Sequence, residues 1–377
     1  MGELRSVSDT ITLWFTKSKD SPPGAAMPSA EMHFNLWRHV RSRKADEDFL
    51  DVGILMRNAE QLGTLSIYLP FTFKERPQDL MGLLREKQHL LRGVFNEVVE
   101  FGASVGVGQE SFTVQKGRQH YLTCHGGLNP SRLTTRVLED SDRTCGTILT
   151  FEEPFCAGMR EPGGHYLRFR IGLDAAASVT FSSKKSGSEG SLSLNWKQRE
   201  YTEIRFNEMR SIQSSLQSTL DRDDRHAVPI SAVHAFLLRD MAFELLAAHS
   251  PPYKVRLLEA DLWRGYAPET FGSDLGRFVV YHWKKEFDPP MADQSVVVFA
   301  KFSYESAKVY AYVVGIILLG ATGSALQAVS MSLCNWPAWR SLMLLALCWA
   351  VLYLWTDWSD LLRRFGWARL SKGPRKK

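Results

Sequence analysis

The feature that most limits what this chain can become lies near its end. From Val309 to Trp339 there is no charged residue, and Val309 to Val329 reads VYAYVVGIILLGATGSALQAV. Roughly 20 apolar residues rising about 1.5 Å each match a bilayer core of about 30 Å. A second run, Ser341 to Thr356, reads SLMLLALCWAVLYLWT. It reaches spanning length when counted back through Pro337, Ala338 and Trp339, with Arg340 turning its guanidinium to the headgroups. The sequence therefore predicts a transmembrane helical hairpin over 306–358, with helices at about 309–329 and 337–356 joined by the short stretch Ser330 to Trp336. The alternatives are that both runs are buried core helices, or that only the first one spans.

The flanks extend this reading. Trp336 and Trp339 fall at the turn and Trp355 and Trp358 at the exit, where amphipathic rings favour a membrane interface. The tail, 359–377, carries Arg363, Arg364, Arg369, Lys372, Arg375, Lys376 and Lys377 and no acid after Asp360. By the positive-inside rule this predicts a two-pass protein of a cell membrane, a bacterial inner membrane, with both termini cytoplasmic. Gly320 and Ser324, and Ala321 and Ala325, stand four apart, so small residues line one helix stripe. Such a stripe lets helices approach closely, within the hairpin or in a homo-oligomer.

Net charge, +5 over 377 residues, changes meaning once it is divided along the chain. From Lys301 onward there are 10 Lys and Arg against 3 Asp and Glu, leaving 36 against 38 in the first 300 residues. The basic excess belongs to the tail, so no nucleic-acid partner is expected, and a lipid bilayer is. Five cysteines at irregular spacing fit a reducing compartment, and Met1 to Thr16 lacks the basic-then-apolar run of a secretory signal.

Residues 1–305 read as α+β, with antiparallel sheets and two or three helices: a β-rich cytoplasmic domain over 1–220, completed by a helix-plus-strand region over 221–305. Leu50, Val52, Ile54 and Met56 alternate with Asp51 and Gly53; Leu65, Ile67 and Leu69 alternate with Ser66 and Tyr68. Leu167, Phe169 and Ile171 alternate with Arg168 and Arg170, and Leu192 and Leu194 with Ser193 and Asn195. Period-2 alternation predicts strands with one wet face. Arg277 to Trp283 and Ser295 to Phe302 are more continuously apolar and predict deeper strands. Helices are expected over Gln78 to Val98, with Pro77 at its start, and over about Ile230 to His249, which is apolar nearly all round.

Chemistry-bearing patterns are sparse. His120, Cys124 and His125 cluster without the spacing of a zinc motif, so no metal site is assigned. Gly102, Gly106 and Gly108 lack the helix start and Lys-Ser/Thr pair of a phosphate loop. Arg160, His165, Arg168 and Arg170, around a Gly-Gly turn, could bind an anion such as a nucleotide phosphate, or the strand arginines could be a solvated edge. No nucleophile elbow or zinc-protease helix is present, so no catalytic residue and no cofactor is assigned.

The layout of a large domain without enzyme motifs, a bare two-helix hairpin and a basic tail resembles the two-transmembrane effectors of bacterial antiphage defence systems. The resemblance covers the hairpin and tail only. It implies a cytoplasmic domain that senses a nucleotide ligand or a partner protein, and hairpins that oligomerise to perturb the inner membrane. The competing expectation is a binding or scaffold module with the hairpin as a passive anchor.

Overall fold

A computed structural model describes residues 10–38, 48–106, 110–140, 143–188, 195–268, 271, 275–307, 309–334, 339 and 343. The chain divides into two compact units: Met1–Lys184 with Glu200–Phe302, and Lys185–Arg199 with Ser303–Lys377.

In chain order, the strands begin with β1 (Thr12–Lys17), β2 (Ser29–Trp37), β3 (Asp48–Arg57), β4 (Leu62–Leu69) and β5 (Gln78–Asp79). Helices α1 (Met81–Glu86) and α2 (His89–Phe95) follow. Then come β6 (Glu100–Val105), β7 (Ser111–Lys116), β8 (Gln119–Cys124), β9 (Leu133–Asp140) and β10 (Arg143–Phe151). Past α3 (Glu153–Cys156) lie β11 (Gly164–Leu173), α4 (Ala175–Phe181), β12 (Ser182–Ser188) and β13 (Asn195–Phe206). The last part holds α5 (Ser214–Leu220), β14 (Arg225–Ala227), β15 (Ile230–Asp240), β16 (Phe243–Ala248), β17 (Lys254–Leu257), α6 (Ala260–Trp263), β18 (Phe278–Met291), β19 (Val296–Ala307) and α7 (Val309–Cys334).

Three sheets result. The largest runs β17-β18-β15-β2-β3-β11-β8-β7-β6, with β5 added to β11; a second runs β14-β1-β4-β10-β9; a third runs β12-β13-β19-β16. The sheet-to-sheet core comes from alternate residues. Met32, Phe34, Val52, Ile54, Leu167 and Phe169 of the large sheet are fully buried, as are Leu65, Ile67, Leu149 and Phe151 of the second. Phe151 meets Phe169 across this layer with ring centroids 5.7 Å apart.

The other face of the large sheet is also covered, and this corrects the expectation of a wet face. Leu84, Leu90 and Leu91 from α1 and α2, with Trp263, Tyr266 and Phe271 from α6 and the turn after it, pack on Trp37, Phe49, Leu238 and Val280. Alternation along β3 and β11 therefore separates two buried layers, one apolar and one partly ionic.

Two helix expectations are also corrected. Residues 230–249 form β15 and β16, because a strand at the middle of a sheet covered on both sides is as continuously apolar as a buried helix. The segment 78–98 breaks into β5, α1 and α2, with Lys87 leaving helical geometry at φ −109°, ψ 69°.

The membrane hairpin is corrected as well. No helix among the described residues is long and apolar enough to cross a membrane. Of the second expected span, 337–356, only Trp339 and Met343 are described. The two-pass topology and the inner-membrane location are set aside accordingly. Gly320, Ala321, Ser324 and Ala325 are exposed on α7, and a methyl group on Gly320 would meet no atom within 4 Å among the described residues. Trp339 is exposed too. Trp336, Trp355, Trp358 and the basic residues Arg363, Arg364, Arg369, Lys372, Arg375, Lys376 and Lys377 lie outside the described residues, as do Leu192 and Leu194.

Candidate functional site

Strand pairing on the covered polar face of the large sheet brings distant residues into rows. One row crosses five strands as Lys284, His234, His33, Gly53 and Arg168. Beside it runs His282, Phe236, Asn35, Asp51 and Arg170, flanked by Lys254 of β17. Residues paired across adjacent strands project to one face, so these side chains meet although β2 and β15 are far apart in sequence.

Gly53 makes the first row possible. A Cβ there would collide with the Tyr166 hydroxyl and come within 3.0 Å of Tyr166 Cζ and 3.1 Å of Arg168 Nη1. The bare backbone lets Tyr166 reach over β3, and its oxygen lies 3.3 Å from His33 Nδ1.

Under the second row sits an ionic cluster. Asp51, wholly buried, accepts from Arg170 Nε at 2.6 Å and Nη2 at 3.1 Å, from Trp37 Nε1 at 3.1 Å and from the Tyr266 hydroxyl at 2.8 Å. Arg168 stands farther off, its Nη2 3.8 Å from Asp51, and donates instead to two phenol oxygens, Tyr266 at 2.6 Å and Tyr166 at 3.0 Å. One carboxylate thus serves two guanidiniums, and Arg168 relies on neutral acceptors. Burial opposes the charged form of both arginines, but their phenol and carboxylate neighbours outweigh it and keep them cationic.

Glu31, His33 and His234 bring one donor atom each within 4.8 Å of the other two. Glu31 Oε1 is 2.9 Å from His33 Nε2 and 3.3 Å from His234 Nε2. His234 Nδ1 shares a hydrogen bond of 3.1 Å with His282 Nε2. Burial, reinforced by the neighbouring imidazoles, lowers His234 to about 3 and His282 to about 4, so both rings are neutral at pH 7. Burial works against Glu31 ionising, yet the hydrogen bond from His33 and the positive charge nearby, Arg57 included, together outweigh it and draw the carboxyl down to about 2. Glu31 and His234 are therefore a carboxylate beside a neutral ring.

Over these rows opens a cavity of about 370 Å³, walled by Gly93 to Phe95 at the end of α2, Asn96 and Glu97 just after it, Tyr121, Tyr253 and Trp263. Four cationic side chains line it, Arg168, Lys254, Arg256 and Lys284, against two acidic ones, Glu31 and Glu97. Asn35 Oδ1 and Trp263 Nε1, also in its wall, are buried and have no hydrogen-bond partner among the described residues. Phe236 and His282 stack at 4.1 Å beneath the opening.

Of the residues expected to form an anion site, the structure brings together only Arg168 and Arg170. Arg160 donates to Leu62 O at 2.9 Å and to Glu153 Oε1 at 2.7 Å, and His165 projects from the opposite face of β11. His120 pairs with Thr123 Oγ1, and Cys124 is buried in the core. Glu31, His33, Asn35, His234 and His282 carry no motif that would single them out in the sequence. The spacing of Glu31 and His33 puts both on one strand face, but nothing local announces their neighbours on β15 and β18.

His125, behind that face, shares a 2.9 Å hydrogen bond with His165 Nδ1. Burial and the His165 ring lower its pKa from 6.5 to about 3. Between those values the unfolded chain takes up a proton that the folded chain refuses, so stability falls as pH drops through that window. The loss approaches about 4 kcal/mol at its acid end. In urea unfolding, His125→Gln is expected to be less stable than the parent at pH 7 and to close the gap at pH 4. Parallel pH profiles would contradict this assignment.

No protein-family model and no curated protein matches the chain. Among solved structures, the Fcho1 Mu homology domain of Danio rerio, determined with a bound Eps15 peptide, aligns over 79% of this chain and 81% of its own. Identity is 10% and the TM-score 0.15, a likeness that carries no argument.

Proposed function

We infer that the chain is a binding protein that receives a small anionic organic ligand in the cavity over β2, β15 and β18. The observation that carries this reading is the charge of the floor: among the described residues Asp51 is the one carboxylate serving Arg168 and Arg170, and Arg168 lines the cavity. Buried charges favour a counter-charge, so an anion entering the cavity meets an electrostatic demand already in place. The stacked Phe236 and His282 rings offer it a flat apolar surface. At about 370 Å³ the space lies at the lower end of small-molecule sites, which run from about 300 to 1,000 Å³. A sensor module that signals ligand occupancy fits this architecture, and so does a carrier; both begin with the same binding step.

The test is thermal unfolding in EDTA with AMP, citrate and para-hydroxybenzoate, each at millimolar concentration, set against the neutral adenosine, glycerol and para-hydroxybenzyl alcohol. At least one anion is expected to raise the midpoint, with its neutral counterpart inert, since ligand at about 100 times Kd adds about 2.7 kcal/mol. The rim variant Lys254→Glu with Lys284→Glu should lose the response. Equal shifts from anions and neutral compounds, no shift at all, or an undiminished response in the rim variant would each refute the reading.

A further inference from the structure

We propose that Glu31, His33 and His234 form a site for one divalent transition-metal ion at the floor of this cavity, with an open coordination position facing the ligand space. The inference deepens the anion-pocket reading and rests on it only for what fills the open position: an anionic group, carboxylate or phosphate, able to bind the metal directly.

The geometry is close to what an ion requires. Nitrogen and oxygen donors at about 2.0–2.1 Å from a tetrahedral ion lie about 3.3–3.4 Å from one another. Glu31 Oε1 and His234 Nε2 are 3.3 Å apart, and Glu31 Oε1 and His33 Nε2, at 2.9 Å, need to open by about 0.4 Å to reach that spacing. Two imidazoles and one carboxylate suit zinc, iron(II) or cobalt(II) better than the hard oxygen-seeking cations.

The surroundings supply the other parts of such a site. Each ring has its second nitrogen held, His33 by the Tyr166 hydroxyl at 3.3 Å and His234 by His282 at 3.1 Å. A hydroxyl and an imidazole can each accept as well as donate, so both rings can turn Nε2 lone pairs toward an ion and keep Nδ1–H partnered. His33 and His234 are directly opposite in the parallel pairing of β2 and β15, at the middle of the large sheet, so the donors stand on rigid backbone. All three donors line the cavity, which leaves a side of the ion accessible.

Protein stripped with EDTA and freed of chelator is titrated with Co²⁺ alone, and bound Co²⁺ is then displaced with Zn²⁺. One Co²⁺ per chain is expected, with visible absorption bands that disappear on Zn²⁺ addition. Glu31→Gln and His234→Gln should each weaken Co²⁺ binding by at least about 100-fold, and His282→Gln, which acts through His234, by about 10–100-fold with altered bands. His125→Gln, in the other histidine pair, should bind as the parent does. Cooperative unfolding in EDTA establishes that each variant is folded, and His282→Gln stands in for a ligand variant that is not. Absence of Co²⁺ binding in the parent, or binding undiminished in the folded variants, overturns the proposal. Because no organic ligand is present, that result leaves the anion response measured in EDTA untouched; the reverse failure leaves the metal site standing.

Discussion

Asp51→Asn is expected to destabilise the chain by about 3–5 kcal/mol, the usual effect of removing one partner from a buried ionic cluster. Asp51 is wholly buried, and the substitution removes the one negative charge that, among the described residues, faces Arg168 and Arg170. Both arginines are themselves nearly inaccessible, at 3% and 6% exposure, so water replaces little of the lost carboxylate's interaction. The fall in thermal midpoint should be roughly 10 °C at about 2–4 °C per kcal/mol. A variant that removes all three charges together, Asp51→Leu with Arg168→Met and Arg170→Met, should recover most of this, because an apolar replacement of a buried ionic cluster is often neutral. Equal destabilisation of the single and triple variants would show that packing, and not charge, governs the cluster.

Glu200→Ala should cost a similar amount for a different reason. Glu200 is inaccessible and accepts from Arg239 Nη2 at 2.5 Å and from Ser182 Oγ at 2.7 Å, with Arg38 Nε 3.5 Å away. Arg38 also faces Asp48 at 3.3 Å, and Lys184 stands within the electrostatic reach of the same groups, so removing Glu200 leaves Asp48 facing Arg38, Arg239 and Lys184. Burial pushes the Glu200 carboxyl up, but Arg239 and Arg38 together bring it down to about 2, against 4.5 in an unfolded chain. Its contribution is complete above pH 4.5 and is lost as pH falls toward 2, an amount of about 3 kcal/mol. Urea midpoints of parent and variant should therefore differ most at neutral pH and converge below pH 3. A difference that persists unchanged at pH 2 would mean that the lost side chain matters by volume alone.

What can be read from the sequence depends on whether the cause of a feature is local. The alternation at 50–56, 65–69 and 167–171 falls within β3, β4 and β11, because strand geometry is imposed residue by residue. Alternation shows that two faces differ without showing what covers them. Asp51, Arg168 and Arg170 read as solvated because a buried cluster that satisfies itself has the same composition as a wet face. The segment 230–249 reads as a helix for the converse reason: β15 carries buried residues on both sides, including Val233, Ala235 and Leu237 opposite Ala232 and Leu238. Glu31 and His33 can be placed on one strand face, but His234 joins them only through a parallel pairing that no local pattern encodes.

The order of strands in the large sheet also bears on how the protein is made. β2 finds β3 almost at once, but its other edge waits for β15, about 200 residues later, which at about 5–20 residues per second is a delay of about 10–40 s on the ribosome. Throughout that interval an unpaired edge bearing Met32, Phe34 and Leu36 is open to wrong pairing, so synthesis of this chain should lean on chaperones. Glu31 and His33 emerge early and acquire their third companion only about 200 residues later, so loading of an ion there requires β15 to have been made and paired with β2.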